Sequence, residues 1–391
     1  MAKGAGRRFG QSAARTAWGA ALSTALAAGM AALGMLGMAA SAARAADAPG
    51  RKRAVEVVFV IDTTGSMGWL IEAAKQKVWA IANEIAKGKP APDIRMGLVA
   101  YRDRGDQYVT KTFDLTKNLD QMYKELLALR ADGGGDGPEH ALQGLSDAVE
   151  KMSWSKDTKT FKVAYLVGDA PAHLDYHDTP SLEALLQAAV RKGVVVNAVQ
   201  CGDDGSTTAQ WTQIARLGEG KFLAIPQDGG VVAVATPFDE RLSRLNSELD
   251  GTMLAFGRRR EEARAMMTLA GEVAAGAPAP ASAERASFKA KRGFDGELDL
   301  AQAVTDKKAD LAKLRDEELP DSFRGLNAAE REKRLAEVNR KREGLRKQIE
   351  GLSLERSSYL KEHARTASKD SFDAKLVETL KEQAGKQGIL Y

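Results

Sequence analysis

Three separated stretches of the sequence combine acidic or hydroxyl side chains with glycine. The first, FVIDTTGSMG, places Asp62 at the end of an apolar run and follows it with Thr64 and Ser66. The second, GGGDGPE, contains Asp136, and the third, GDAPAH, contains Asp169. A carboxylate beside a hydrophobic core needs a cation, backbone donors or a covalent role, because leaving it unpaired there is costly.

All five of these side chains offer oxygen as a ligand atom. Hard oxygen ligands suit Mg²⁺, Ca²⁺ or Mn²⁺ better than zinc or copper. We therefore expect a divalent cation at Asp62, Thr64, Ser66, Asp136 and Asp169, with Mg²⁺ as the first choice and Ca²⁺ or Mn²⁺ as alternatives.

Short apolar runs alternate with amphipathic stretches as far as about residue 250, which predicts repeated β-α units. Strand patterns cover 55–61, 94–101, 107–115, 161–167, 194–199 and 221–225, and helical patterns cover 69–85, 118–129, 139–152, 181–190, 207–218 and 237–249. The predicted fold class is α/β: a doubly wound, mostly parallel six-stranded sheet with helices on both faces. The second and third strand patterns form a hairpin that supplies one antiparallel edge strand.

In such a sheet, ligands bind beyond the carboxyl ends of the strands, where the winding reverses. If the strand order is 3-2-1-4-5-6, the strands that end at Asp62 and Asp169 are neighbours. Their carboxylates then point into one crevice, and the loop with Asp136 leads into the helix packed between them.

These motifs, in this order, make residues 54–250 resemble a von Willebrand factor type A (vWA) domain. The branch they resemble occurs in hemicentin-like proteins, in vWA-type alpha-kinases and in many bacterial exported proteins, and YRDRGD at 101–106 also resembles it. The resemblance implies a metal-ion-dependent adhesion site that binds a protein partner, whose carboxylate commonly completes the coordination. The implied ligands are Asp62, Thr64, Ser66 and Asp169.

Asp136 stands where the family usually has a threonine. A third carboxylate leaves a site with one divalent ion negatively charged, which weakens its attraction for an acidic partner group. We hypothesise that the site prefers Ca²⁺ or Mn²⁺ with a neutral or water-mediated partner group, or that the metal mainly fixes the loops.

Two other kinds of site use the same residues. IDTTGS also resembles the phosphorylated motif of haloacid-dehalogenase-like phosphotransferases, with Asp62 as nucleophile. However, no lysine motif precedes the third stretch, and we predict a binding protein rather than an enzyme. His173 and His177 suggest a zinc site, but their loop lacks a helical pattern, so a partner-facing rim is the favoured interpretation.

The N-terminal residues have the layout of an export signal. Residues 1–45 contain five basic and no acidic residues, and 16–43 are uncharged. We predict a signal peptide over 1–45, a mature tail over 46–53 and export to the periplasm or exterior of a Gram-negative bacterium. The Sec and Tat routes both stay open, and a retained membrane anchor is the alternative to cleavage.

The net charge of the chain argues against some classes of partner. Without the predicted signal, the sequence has 52 basic and 53 acidic residues, so no nucleic-acid partner and no stable membrane insertion are expected.

The sequence has a single cysteine, Cys201, which cannot form an intrachain disulfide, and we expect a buried thiol.

The sequence after residue 250 changes in composition. We predict a linker and connecting helix over 251–296, with a Pro/Ala stretch lacking a core pattern at 274–286, and a charged all-α module over 297–391. Its long helix begins near 327, and a last helix begins at Phe372. The long helix repeats apolar residues at Leu335, Val338, Leu345, Ile349, Leu352 and Tyr359, with Arg342, Arg356 and His363 in the same seam. Charged seam positions favour an antiparallel helical hairpin over a dimeric coiled coil, although a homodimer stays open.

Overall fold

The computed structural model describes residues 53–135, 137–230, 234–363 and 370–391. The predicted signal peptide and residues 46–52 of the predicted tail lie outside these ranges, as does Asp136.

The strands and the helices around them follow the predicted alternation. The strands are β1 (Ala54–Asp62), β2 (Asp93–Tyr101), β3 (Thr110–Thr116), β4 (Thr160–Gly168), β5 (Val194–Cys201) and β6 (Glu219–Ile225). The helices among them are α1 (Gly68–Ala86), α2 (Leu119–Ala128), α3 (Ala141–Glu150), α4 (Leu182–Arg191) and α5 (Gly205–Leu217). The later helices are α6 (Asp239–Asp250), α7 (Arg260–Gly276), α8 (Ala279–Arg292), α9 (Leu300–Thr305), α10 (Ala328–His363) and α11 (Phe372–Lys386).

The six strands form one sheet in the order β3-β2-β1-β4-β5-β6. β3 pairs antiparallel with β2, and the other neighbouring strands pair in parallel. All nine residues of β4 are buried, as expected for a strand with helices on both faces. The predicted fold, including its antiparallel edge strand and strand order, is confirmed.

Alternate residues of β1 face two separate cores. Phe59 and Ile61 pack with α1, α2 and α11 on one face of the sheet. Val58 and Val60 pack with α3, α4 and α5 on the other. This period of two fixes the register of the strand, because a slip by one residue would exchange the two faces.

The linker predicted over 274–286 is wrong in its local structure. That stretch belongs to α7 and α8, and Ala281, Ala283 and Ala286 are fully buried. Alanine lets α8 approach α1 and α6 closely, and proline is tolerated in the first turn of a helix. The predicted domain boundaries themselves stay a prediction.

The C-terminal helices pack differently from the predicted hairpin. α10 is a single 36-residue helix that lies on α6 and α8, whereas α11 lies on α1 and β6. Arg342 and Arg356 of α10 are buried: Arg356 binds Asp239 of α6 and Glu284 of α8, and Arg342 binds Asp299, directly before α9. Cys201 is buried as expected. Within the described ranges, none of the helices combines the length and apolar content needed to cross a bilayer.

Candidate functional site

Asp62 ends β1 as a fully buried carboxylate. Its Oδ1 accepts hydrogen bonds from the Thr64 backbone N–H at 2.8 Å and from the Thr64 hydroxyl at 2.7 Å. Its Oδ2 is buried and has no donor among the described residues. Burial, opposed by the Thr64 hydrogen bonds and aided by Asp169, raises the pKa of Asp62 to about 7. Half of this carboxylate is therefore left for a ligand that the protein does not supply.

Asp169 follows β4, the neighbour of β1. Ile61 pairs with Val167, so Asp62 lies level with Gly168, and a Cβ on Gly168 would be 3.1 Å from the Asp62 Cβ. Asp169 is half-buried, and its Oδ2 accepts a hydrogen bond from Gln227 at 2.6 Å. The structure thus brings both aspartates to the carboxyl edge of the sheet, where the strand order reverses.

For Ser66 and Asp136, the structure gives less information about a role as ligands. Ser66 lies on a short 3-10 turn, Gly65–Met67, and is exposed. Asp136 lies outside the described residues. The five-residue ligand set therefore stays a prediction, of which Asp62, Thr64 and Asp169 adjoin the same crevice.

Glu139 is a site residue that our sequence reasoning missed. It is only 4% exposed, and its Oε2 has no donor among the described residues. A Cβ on Gly134 would be 3.1 Å from both Glu139 Oε1 and the Thr64 Cβ, so these side chains face each other across that glycine. Burial, together with Asp62 and the other crevice aspartates, raises the pKa of Glu139 to about 9. The residue ends the GGGDGPE motif, which was the available signal.

The hairpin loop between β2 and β3 adds two more carboxylates. Asp106 accepts a hydrogen bond from the Gly134 backbone N–H at 3.1 Å. Asp103 is 7% exposed; its Oδ2 accepts from the Tyr176 hydroxyl at 3.0 Å, and its Oδ1 has no donor among the described residues. Arg102, which is buried, lowers the pKa of Asp62 by less than burial raises it. The crevice therefore has a large excess of acid.

The chemistry of these residues fits a hard divalent cation. Asp62 Oδ2 and Glu139 Oε2 are buried oxygens with no donor among the described residues, and the Thr64 hydroxyl binds the other oxygen of Asp62. In the described part of the chain, no three His, Cys, Asp or Glu side chains are arranged to hold an ion by themselves. Hydroxyl ligands such as Thr64 would therefore have to complete the set.

The histidines of the third loop form part of the rim. The His173 ring stacks on Tyr176 at 4.1 Å, and its Nδ1 lies 2.8 Å from Asp175. His177 is exposed. That this loop faces a partner stays a prediction.

The comparisons with known proteins concern the same part of the chain. Residues 56–223 match the family model for the von Willebrand factor A domain. The chain is 29% identical to alpha-protein kinase vwkA of Dictyostelium discoideum over 32% of this chain and 20% of that one. It is 36% identical to human von Willebrand factor A domain-containing protein 7 over 25% of this chain and 10% of that one. The chain thus spans a fifth or less of these relatives.

A solved structure also aligns with part of the chain. It is proximal thread matrix protein 1 from the mussel byssus, described with a zinc-occupied MIDAS motif. The alignment covers 45% of this chain and 43% of that one, at 19% identity and a TM-score of 0.34. The hemicentin-like and bacterial exported branch stays a prediction. Within this chain, residues 56–223 form a von Willebrand factor A domain.

Proposed function

We propose that this chain is an exported protein that binds a protein partner through a divalent metal ion held in the crevice. The observation that carries the proposal is the buried Asp62 Oδ2, which lacks a donor among the described residues at the carboxyl edge of the sheet. Mg²⁺ is the first choice of ion, with Ca²⁺ and Mn²⁺ as alternatives.

The electrostatics of the crevice support an ion. Asp62 and Glu139 repel each other and Asp169, and each is more stable protonated than an ordinary carboxyl group. A divalent cation would remove this repulsion and keep both groups ionised. We propose Asp62, Thr64, Ser66, Asp136 and Asp169 as its surroundings, with Glu139 added.

Binding accounts for the site better than catalysis does. A phosphoryl-transfer nucleophile must reach its substrate, but Asp62 is fully buried and one of its oxygens is engaged by Thr64. The haloacid-dehalogenase-like alternative predicts hydrolysis of a small aryl phosphate that is lost in Asp62→Asn. We expect no such hydrolysis.

A second candidate function is a structural or assembly factor of a cell-envelope complex, in which the metal only fixes the loops. The burial of Asp62 favours this candidate, because an ion there would join β1, β4 and the loop containing Glu139. In that case a chelator would destabilise the domain without releasing a partner.

The cellular setting is part of the proposal. The charge layout of residues 1–45 supports export to the periplasm or exterior, followed by signal cleavage. A homodimer through α10 stays open.

The experiment uses the immobilised chain and a cell-envelope extract. We expect a partner that is retained with Mg²⁺ or Ca²⁺, released by EDTA and not retained by Asp62→Asn. The matched control is Glu343→Gln, which removes one exposed carboxylate on α10. Retention that survives both EDTA and Asp62→Asn, by folded protein, would overturn the proposal.

A further inference from the structure

We propose that the partner segment that docks on the carboxyl edge of the sheet is basic, with Lys or Arg side chains, rather than acidic. The inference rests on the proposed function for the existence of a partner. It concerns the chemistry of that partner, for which the two edges of the sheet supply the evidence.

Charge is divided between the two edges of the sheet. The loops beyond the carboxyl ends of the strands contain no lysine at all. The loops at the opposite edge, at 87–92, 117–118, 151–159, 192–193 and 218, contain seven lysines and one aspartate. The molecule is therefore electrically polar along its strands.

Exposed acids form the rim of the carboxyl edge. They are Asp132, Asp175, Asp178, Asp203, Asp204 and Asp228. The exposed arginines described on the same loops are Arg104 and Arg130. Arg104 is already occupied, because it binds Asp178 at 2.6 Å and stacks over Tyr176 at 3.6 Å. The rim therefore presents mostly negative charge to an approaching partner.

The interior of the crevice adds to this excess. The crevice contains five carboxylates, which are Asp62, Asp103, Asp106, Glu139 and Asp169. One divalent ion would neutralise two of them and Arg102 at most one more, although Arg102 also lies 3.7 Å from Asp132. Three of these side chains are more than nine-tenths buried and hold an oxygen with no donor among the described residues, namely Asp62, Asp103 and Glu139. An additional carboxylate from a partner would be repelled, whereas an ammonium or guanidinium group would be attracted.

Two large apolar side chains are exposed beside these acids. Trp69 is 76% exposed on the first turn of α1, three residues after Ser66. Leu174 is 59% exposed on the loop after β4. Tryptophan is the best aromatic partner for a cation and is enriched where binding energy is concentrated. Trp69 therefore suits a basic segment that lies across the rim.

The test uses the full chain and two labelled peptides of equal length, one of alternating Lys and Ser and one of alternating Glu and Ser. Binding is followed by fluorescence anisotropy with Mg²⁺ or Ca²⁺ present. We expect the Lys peptide to bind at least about tenfold more tightly at low salt, and the difference to shrink as salt screens the charges.

Matched variants test whether the peptide binds at the carboxyl edge of the sheet or at any acidic part of the surface. Asp175→Asn with Asp203→Asn should weaken binding of the Lys peptide, whereas Glu343→Gln with Glu350→Gln on α10 should not. Trp69→Ala should weaken it about tenfold, whereas Leu354→Ala, which removes a 66% exposed side chain on α10, should leave it unchanged.

The outcomes also distinguish this inference from the proposed function. Tighter binding of the Glu peptide, equal binding, no binding, or equal loss in the control variants would each overturn the inference. An Asp62-dependent shift in melting temperature with metal, measured on the same samples, would leave the proposed function standing. Preferred binding of the Lys peptide without any metal effect would support the inference and count against the metal.

Discussion

Two groups of buried carboxylates, one among the later helices and one in the crevice, differ in how much positive charge the described residues place around them. In the helical layer around α6, α8 and α10, Asp299 binds Arg342 at 2.6 Å and Asp239 binds Arg356 at 2.6 Å. In the crevice, Asp62 is as deeply buried as Asp299, yet one of its oxygens has no donor among the described residues. The difference therefore lies in the provision of positive charge and not in the depth of burial.

The pKa values follow this difference. Burial alone would raise the pKa of Asp120, an α2 residue that contacts the helical layer, but the charges of Lys289 and Arg285 on α8 hold it down at about 2. In the crevice, burial dominates, and the pKa values of Asp62 and Glu139 rise to about 7 and about 9. The carboxylates between the helices are paired with cations of the protein, whereas the proposed site in the crevice would need a cation from outside.

The largest effect is expected from breaking a pair in the helical layer. Arg342→Met leaves Asp299 buried without its cation and also removes the hydrogen bonds of Arg342 to Thr252. We expect the free energy of unfolding to fall by about 3–5 kcal/mol in urea titrations.

The control is Arg264→Met, which breaks an exposed pair with Asp321 and should cost less than about 1 kcal/mol. Equal losses in the two variants would mean that the buried pair does not fasten α10.

The free energy of unfolding of the metal-free protein should depend on pH through the crevice carboxylates Asp62 and Glu139. Because the folded pKa values of Asp62 and Glu139 are raised, their protons favour the folded state, and this stability is fully present below the unfolded pKa of about 4. It is lost as the pH rises through about 7 and then about 9. We expect a loss of about 3 kcal/mol between about pH 7 and pH 9 in EDTA.

The stability contributed by carboxylates of the helical layer should depend on pH in the opposite direction. Stability from Asp120 is present above its unfolded pKa and is lost only as the pH falls towards about 2. Urea titrations across the range, with Asp62→Asn as the comparison, test both signs. A metal-free protein that gains stability between neutral and alkaline pH would contradict the account.

Neutralising the crevice carboxylate should stabilise the metal-free protein. Asp62→Asn keeps an oxygen for the Thr64 hydrogen bonds, removes the cost of a buried charge and removes the repulsion by Asp169. We expect a gain of about 1–2 kcal/mol near pH 8 in EDTA. Asp299→Asn, the corresponding change in the helical layer, should destabilise the protein. If both variants changed the free energy of unfolding in the same direction, the contrast between the two regions would be wrong.

The smallest effect concerns the glycine loop. Gly134 has a φ of +78°, and an added Cβ would contact both Glu139 and Thr64. Gly134→Ala should cost about 1 kcal/mol of stability and also weaken ion binding. Gly325→Ala, at a φ of +73° with no atom within 4 Å of the added Cβ, should cost stability alone. Equal ion affinities in the two variants would mean that the loop at Gly134 does not contribute to the ion site.

The sequence predicted the sheet well because its strands are buried on both faces. Such strands appear as continuous apolar runs, and the positions of Asp62 and Asp169 at strand ends followed from the strand order. Glu139 was missed because its position depends on a backbone hydrogen bond to Pro171, across a loop contact that no local pattern encodes.

The C-terminal helices were predicted less well for a similar reason. Arg342 and Arg356 were recognised as charged seam positions, but their partners Asp299 and Asp239 are 43 and 117 residues away. The alanines of α8 have no apolar periodicity that marks a helix, although their small size is what allows α8 to pack closely. Both the buried ion pairs of α10 and the close packing of α8 depend on contacts between residues that are far apart in the sequence.

The most direct test of the comparison is calorimetric titration of the metal-free chain with Mg²⁺, Ca²⁺ and Mn²⁺ at neutral pH. The account predicts one bound ion per chain, loss of that ion in Asp62→Asn, and unchanged binding in Glu343→Gln. A folded wild-type chain that binds none of the three ions, or an Asp62→Asn variant that binds as well as the wild type, would contradict it.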